Sequence, residues 1–196
     1  METKKILFTG VGGQGTLLAS KLLGQAATEA GMPVRVSEVH GMAQRGGVVE
    51  STVMLGGLNS PIISDGEADI LVSFEPLEAL RALKRCSVDS VIVTNIVPIV
   101  PFTVELGQAE YPDMDYWIGF MKENFSRVCA YDAESLAKEA GTTRAVNVVL
   151  LGTLIGLGVV PVSREMMERT IRENVKSKFV DANLKAFELG LSKVEC

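Results

Sequence analysis

Short apolar runs alternate with stretches of helical period along this chain, and that alternation predicts strand–helix–strand units. Residues 4–9 read as a buried strand. Residues 16–30 read as a helix with Leu18, Leu22 and Ala26 on one face, ended by Gly31 and Pro33. A second strand covers 34–37. Residues 48–55 alternate in part (Val49, Ser51, Val53, Leu55), which predicts a third, half-exposed strand closed by Gly56 and Gly57. Further strands are expected at 69–74, 90–94 and 126–131, with helices at 77–84, behind a favourably placed Pro76, and at 113–124. Pro98 and Pro101 mark 97–106 as irregular or as an edge strand. Asp132 caps a helix over 133–140, Thr142 or Thr143 opens an apolar helix ending near Gly158, and Ser163 opens one over 164–175. A last helix covers 180–191. The expected fold is α/β: one three-layer α/β/α Rossmann-like domain over 1–196, with a mostly parallel sheet and a helical C-terminal part from about residue 143.

Composition narrows the function classes. A net charge of −5 supplies no basic patch for nucleic acid. Cys86, Cys129 and Cys196 stand apart with no C-x-x-C pair, which argues against structural zinc and an internally ligated iron–sulfur cluster and fits a reducing cytoplasm. The longest uncharged stretch, 145–162, carries Asn147, Thr153 and three glycines. It falls short of the ~20 residues of a membrane span and reads as a buried helix. A mean hydropathy of +0.25 is high for one domain. Core burial accounts for it, or a face covered by another subunit does, including a second copy.

Two glycine-rich segments follow the first two strands, and in a parallel sheet both meet at one carboxyl edge, where such sheets bind ligands. The first is Gly10-Val11-Gly12-Gly13-Gln14-Gly15, running into Thr16. In the dinucleotide fingerprint Gly10 makes the tight turn, Gly12 lets backbone amides approach an anion, and Gly15 lets the helix pack on the strand. The helix start adds unpaired N–H groups and a favourable dipole. The other reading is a compact turn that leaves the loop free to dock a protein.

The second segment is Ser37-Glu38-Val39-His40-Gly41-Met42-Ala43-Gln44-Arg45-Gly46-Gly47. Glu38 lies 23 positions after Gly15, where an acidic residue often meets a ribose. His40, the only histidine, cannot build a metal site without converging carboxylates or thiols and serves equally well as a turn-shaping hydrogen bond. Arg45 can grip a phosphate or carboxylate in a bidentate manner, or pair with another subunit. Ser37, Glu38, His40, Gly41, Met42, Gln44, Arg45, Gly46 and Gly47 are thus candidates for an interface or an active-site-closing loop. On residues alone a stand-alone NAD(P)- or FAD-dependent oxidoreductase stays open, although no Tyr-x-x-x-Lys pair follows at usable spacing. An adenylating enzyme of the ubiquitin-activating type would bring paired zinc cysteines, which Cys86 and Cys129 do not supply.

Taken together, the two glycine segments, the Phe74-Glu75-Pro76 strand end and the late Asn147…Leu151-Gly152 helix resemble the gamma-type component of the 2-oxoacid:ferredoxin oxidoreductase family, in its indolepyruvate branch. The likeness extends over nearly the whole chain. It implies a cytoplasmic, multisubunit oxidoreductase that converts a 2-oxoacid and coenzyme A to acyl-CoA and carbon dioxide and reduces ferredoxin. Thiamine diphosphate, magnesium and [4Fe-4S] clusters are implied for a larger partner subunit, none for this chain. Ser64-Asp65-Gly66-Glu67 is the nearest approach to a thiamine–magnesium motif and does not match it. The resemblance also implies no catalytic residue here, with Gly10, Gly12, Gly13, Gln14, Gly15, Thr16 and Arg45 as candidates for coenzyme A or other anion contact. Ferredoxin would be met through the complex.

Overall fold

Successive side chains of a strand point to opposite faces, and β1 (Lys4–Val11) is apolar on both: Ile6 and Phe8 enter one layer, Leu7 the other. A strand of that kind belongs inside a sheet covered on two sides. The computed structural model describes residues 3–40, 47–58 and 60–195. It contains a six-stranded sheet in the order β2-β3-β1-β4-β5-β6. The other strands are β2 (Val34–His40), β3 (Val48–Leu55), β4 (Ala68–Ser73), β5 (Cys86–Asn95) and β6 (Arg127–Tyr131).

From β1 through β4 and β5 to β6 the pairing is parallel. One strand departs from the parallel expectation. β3 returns antiparallel from β2 and lies between β2 and β1, paired Val34↔Leu55 to His40↔Val49 on one side and Lys4↔Leu55 to Val11↔Val48 on the other. β2 and β3 are therefore consecutive antiparallel partners rather than strands joined by a crossover, and residues 37–40 of the second glycine segment belong to β2. Only the start of β3 fits a half-exposed strand, since Val53, Met54 and Leu55 are buried.

One face carries α1 (Thr16–Glu29), α5 (Ala133–Ala140), α6 (Val146–Gly156), α7 (Arg164–Asn174) and α8 (Val180–Leu191), packed through Leu22, Leu23, Ala137, Leu151, Ile171 and Phe187. The opposite face carries α2 (Pro76–Ala82) and α4 (Met114–Asn124), packed through Ala82 and Met121. The caps expected at Asp132 and Ser163 hold, each accepting from the backbone N–H three residues on. Asp113, read as the first residue of its helix, caps it in the same way. Thr142 accepts from Arg144 N without capping α6, whose N-cap is Ala145. Thr142 opens a single 3-10 turn, Thr143–Ala145, before α6 begins.

The apolar 145–162 stretch is a core helix. Every residue of α6 from Val146 to Ile155 is buried, and no helix among the described residues is long and apolar enough to cross a membrane. It crosses α8 with backbones touching: a Cβ on Gly152 would lie 2.2 Å from the Phe187 carbonyl oxygen, and one on Gly190 2.0 Å from that of Val149. Thr153 Oγ1 donates to the Gly190 carbonyl at 2.9 Å across the same crossing.

Three expectations need correcting. Residues 97–106 form no strand; the two prolines leave irregular chain and one short helix, α3 (Phe102–Glu105). Leu18 is not on the core face of α1, being 39% exposed, because the core stripe runs through Ala19, Leu22, Leu23 and Ala26. The cysteines are not all separate thiols, since Cys129 is disulfide-bonded; Cys196 lies outside the described residues. The location argument from unpaired thiols loses its footing there. Cys86 is free and buried, and burial pushes its thiol up to about 11.

Candidate functional site

The two glycine segments do meet. Gly12 N donates to the Gly47 carbonyl at 2.9 Å, joining the turn after β1 to the end of the second segment at the carboxyl edge of the sheet. The glycines nevertheless work differently from the dinucleotide fingerprint. Gly10 is a strand residue of β1, opposite Val49, and does not turn the chain. The left-handed positions are Gly13 (φ 106°) and Gly15 (φ 83°), the latter standing as the N-cap of α1. Room at Gly10 serves Gln14: a Cβ there would lie 2.8 Å from Gln14 Oε1 and 3.0 Å from the Phe74 Cβ. Room at Gly15 serves α6 rather than a strand, because a Cβ there would lie 2.7 Å from Asn147 Nδ2.

Gln14 folds back over the turn it belongs to. Its Oε1 accepts from Val11 N at 2.7 Å and its Nε2 donates to the Phe74 carbonyl at 2.8 Å. The backbone amide of Gln14 donates to the Val11 carbonyl, and that of Gly12 is committed to Gly47. The amides of Val11, Gly12 and Gln14 are thus already satisfied within the protein. Thr16 Oγ1 is buried beside them without a hydrogen-bond partner.

The same edge continues across the ends of β4 and β5. Asn95, 2% exposed, donates from Nδ2 to the Phe74 carbonyl at 3.2 Å and accepts at Oδ1 from Ala133 N at 3.0 Å. Glu75, 1% exposed, is the N-cap of α2, accepting from Glu78 N at 2.9 Å. Its other oxygen accepts from Ile99 N at 3.2 Å and from the Tyr111 hydroxyl at 2.5 Å. Burial, and next the bond to Glu75, raise the Tyr111 hydroxyl above its ordinary range. One buried carboxylate thereby ties the irregular 96–111 segment to the sheet. Glu78 beside it is also buried. Desolvation raises its carboxyl, Arg81 opposes that with a 2.6 Å ion pair, and Glu75 and Glu50 add to the rise.

Asn95 and Glu75 escaped the sequence reading as site residues. Glu75 was legible as the residue before a helix-opening Pro76. Asn95 carries no local signal, as its partners lie 21 and 38 residues away. Of the second loop, Ser37 and Glu38 are placed in β2, paired with Thr52 and Ser51, and the His40 backbone pairs with Val49. Gly47 receives the Gly12 bond. Gly41, Met42, Gln44, Arg45 and Gly46 lie outside the described residues.

Two clefts open on either side of the Thr143–Ala145 turn, and Arg144 lines both. One, about 300 Å³, adjoins Gly13 and Gln14 and is walled by Asn95, Val97 and Ile99. The other, about 250 Å³, lies behind the first turn of α1. Neither is a metal centre. Among the described residues no three His, Cys, Asp or Glu side chains are grouped to hold an ion. Cys86 and Cys129 cannot supply the thiolates an iron–sulfur cluster takes. Asp65 and Glu67, the carboxylates nearest a thiamine–magnesium motif, are paired with Arg85 at 3.6 Å and Lys5 at 2.8 Å. Among the described residues the donors these cofactors take are not brought together.

Known proteins resemble the chain over this whole framework. A subunit named indolepyruvate oxidoreductase subunit IorB, from Thermococcus kodakarensis, is 44% identical over 97% of this chain and 96% of its own. The gamma subunit of a keto/oxoacid ferredoxin oxidoreductase from Geobacter sulfurreducens superposes with a TM-score of 0.71 at 27% identity, over 97% of this chain and 98% of its own. A 2-oxoglutarate:ferredoxin oxidoreductase from Magnetococcus marinus, solved with 2-oxoglutarate, coenzyme A and succinyl-CoA, shares the fold with a TM-score of 0.75 at 19% identity. There this whole chain corresponds to 31% of a longer one. The model of the pyruvate ferredoxin/flavodoxin oxidoreductase family matches residues 5–193. With that span and the full-length likeness to an oxidoreductase subunit, the chain belongs to the pyruvate ferredoxin/flavodoxin oxidoreductase family.

Proposed function

We propose that this chain is the subunit without redox cofactors in a 2-oxoacid:ferredoxin oxidoreductase, a single gamma-type domain that completes an active site held by a larger, thiamine- and iron–sulfur-binding partner. The complex oxidatively decarboxylates an aryl pyruvate such as indolepyruvate. Carbon dioxide leaves, the remaining acyl group is transferred to the thiol of coenzyme A, and two electrons pass to ferredoxin in the cytoplasm. The near full-length likeness to a subunit of that name supports the substrate class most directly. The internal bonding of the turn at the carboxyl edge supports a scaffolding role, since Gln14 and Gly47 take up the Val11 and Gly12 amides. Recurrence of the fold as a third of a longer chain supports a partner in constant contact.

Within this reading Gly12 to Thr16 and Arg45 contact coenzyme A, and the segment from Ser37 to Gly47 closes on the partner. Arg45→Ala in the assembled complex tests the assignment. It should raise the Michaelis constant for coenzyme A or loosen the complex on gel filtration. If both stay as in the unaltered complex, Arg45 has been given the wrong role. A panel of 2-oxoacids assayed alongside should favour aryl pyruvates over pyruvate.

A further inference from the structure

We infer that the exposed apolar surface built by the 96–111 segment and α4 is where the larger subunit docks, through a face that is aliphatic at its centre and rich in arginine and lysine around it. The inference rests on the proposed function for the existence of that subunit and adds which side of this chain it covers.

Clustering is the first observation. Apolar side chains scattered singly over a surface need no explanation, but a contiguous group marks an interaction site. Among the described residues, half of the large apolar side chains that stay exposed fall between Ile96 and Phe120. Phe102 is 69% and Tyr116 63% exposed. Leu106 N donates to the Phe102 carbonyl at 3.0 Å, which sets both side chains on one side of α3. α4 turns Ile118 and Met121 to the core, leaving Tyr116 and Phe120 one helical turn apart on its outer side. Trp117 meets both edge-on, with ring centroids 5.3 Å from Tyr116 and 5.5 Å from Phe120. Aromatic groups of this kind carry much of the energy of protein interfaces. Glu75 joins the two parts into one surface. A single oxygen of its carboxylate accepts from Ile99 N and from the Tyr111 hydroxyl, three residues before α4 begins.

Charge identifies the kind of occupant. Glu105, Glu110, Asp113, Asp115 and Glu123 are exposed across this surface against the single base Lys122, and none of the five has an ion pair among the described residues. Asp113, Tyr116, Phe120 and Glu123 follow at three- and four-residue steps, so carboxylates bracket the aromatic pair on one helical stripe. An apolar centre inside a charged rim is the anatomy of a docking site, and this rim calls for cations. A second copy of this chain would set carboxylates against carboxylates, and an anionic lipid surface would be repelled as well. Position then selects among cationic proteins. Ile99 also lines the cleft beside Gly13 and Gln14, so the surface adjoins the carboxyl edge through which this chain is proposed to complete the larger subunit's active site.

Calorimetric titration of the larger subunit with the purified full chain tests this. Phe102→Ser/Tyr116→Ser, altered only at exposed positions, should bind about tenfold more weakly or worse while its circular dichroism spectrum stays unchanged. Val88→Ser, equally exposed but at the far end of β5, should bind as the unaltered chain does. Raising sodium chloride from about 50 mM to about 500 mM should weaken binding of the unaltered chain, and Glu110→Lys/Glu123→Lys should lose most of that dependence. Undiminished binding by the folded serine variant, an equal loss in Val88→Ser, or unchanged salt dependence after charge reversal each overturns the assignment. A serine variant that binds fully and supports turnover of an aryl pyruvate refutes this inference alone and leaves the proposed function standing. Failure of the unaltered chain to associate with the larger subunit refutes the proposed function itself.

Discussion

Gln14 shows how little a glycine fingerprint says until its side-chain neighbours are placed. The spaces left by the absent Cβ of Gly10 and Gly15 are taken up by Gln14 and Asn147, both belonging to the protein itself. Gln14→Ala should therefore cost stability: it leaves Val11 N and the Phe74 carbonyl without this partner, about 1–3 kcal/mol by urea unfolding. Glu78 gives a pH-dependent counterpart. Its folded-state carboxyl is raised above the ordinary 4.5, so as pH climbs past that value the unfolded chain ionises while the folded one keeps its proton. Stability falls across that window and is greatest below it. Glu78→Gln removes the fall. Its stability relative to the parent should be more favourable at pH 7 than at pH 4, and an equal difference at both would contradict the burial argument. Cys86, buried with its thiol at about 11, should resist iodoacetamide at neutral pH until the protein is unfolded.

At the scale of elements, helices with polar caps were the most legible part of the chain. Asp132 and Ser163 each cap where the sequence places them, because capping depends on residues within one turn. The last helix matches end to end, since its hydrophobic spacing alone defines it. Strand order was not legible. Nothing local tells β3 to return between β2 and β1; its neighbours are chosen by packing that joins residues over forty positions apart, such as Lys4 and Leu55. Likewise Pro98 and Pro101 announce a break but not the carboxylate, Glu75, that holds the broken segment down. The α6–α8 crossing offers the sharpest test at this scale. Gly152→Ala puts a methyl 2.2 Å from a backbone oxygen that cannot rotate away, so the helices must separate. A loss of about 1–3 kcal/mol, or more, is expected from chemical denaturation.

For the whole molecule, the carboxyl edge gathers Gln14, Glu75 and Asn95 from the ends of three adjacent strands, each spent on fixing backbone. The sequence pointed to this edge correctly because both glycine segments follow strands of the same direction. It could not show that the donors there are internally satisfied, since that depends on Phe74 and Gly47 arriving from elsewhere in the chain. In a member of an oxidoreductase family, an edge built this way supports the proposed role in shape and contact. The direct measurement is turnover of an aryl pyruvate with coenzyme A and a ferredoxin acceptor, made on the purified chain alone and after reconstitution with the proposed thiamine-binding partner subunit. The account predicts no acyl-CoA from the chain alone and formation of acyl-CoA with acceptor reduction only once the two are combined. Acyl-CoA formation by the chain alone, or full activity of the partner without it, would contradict the account.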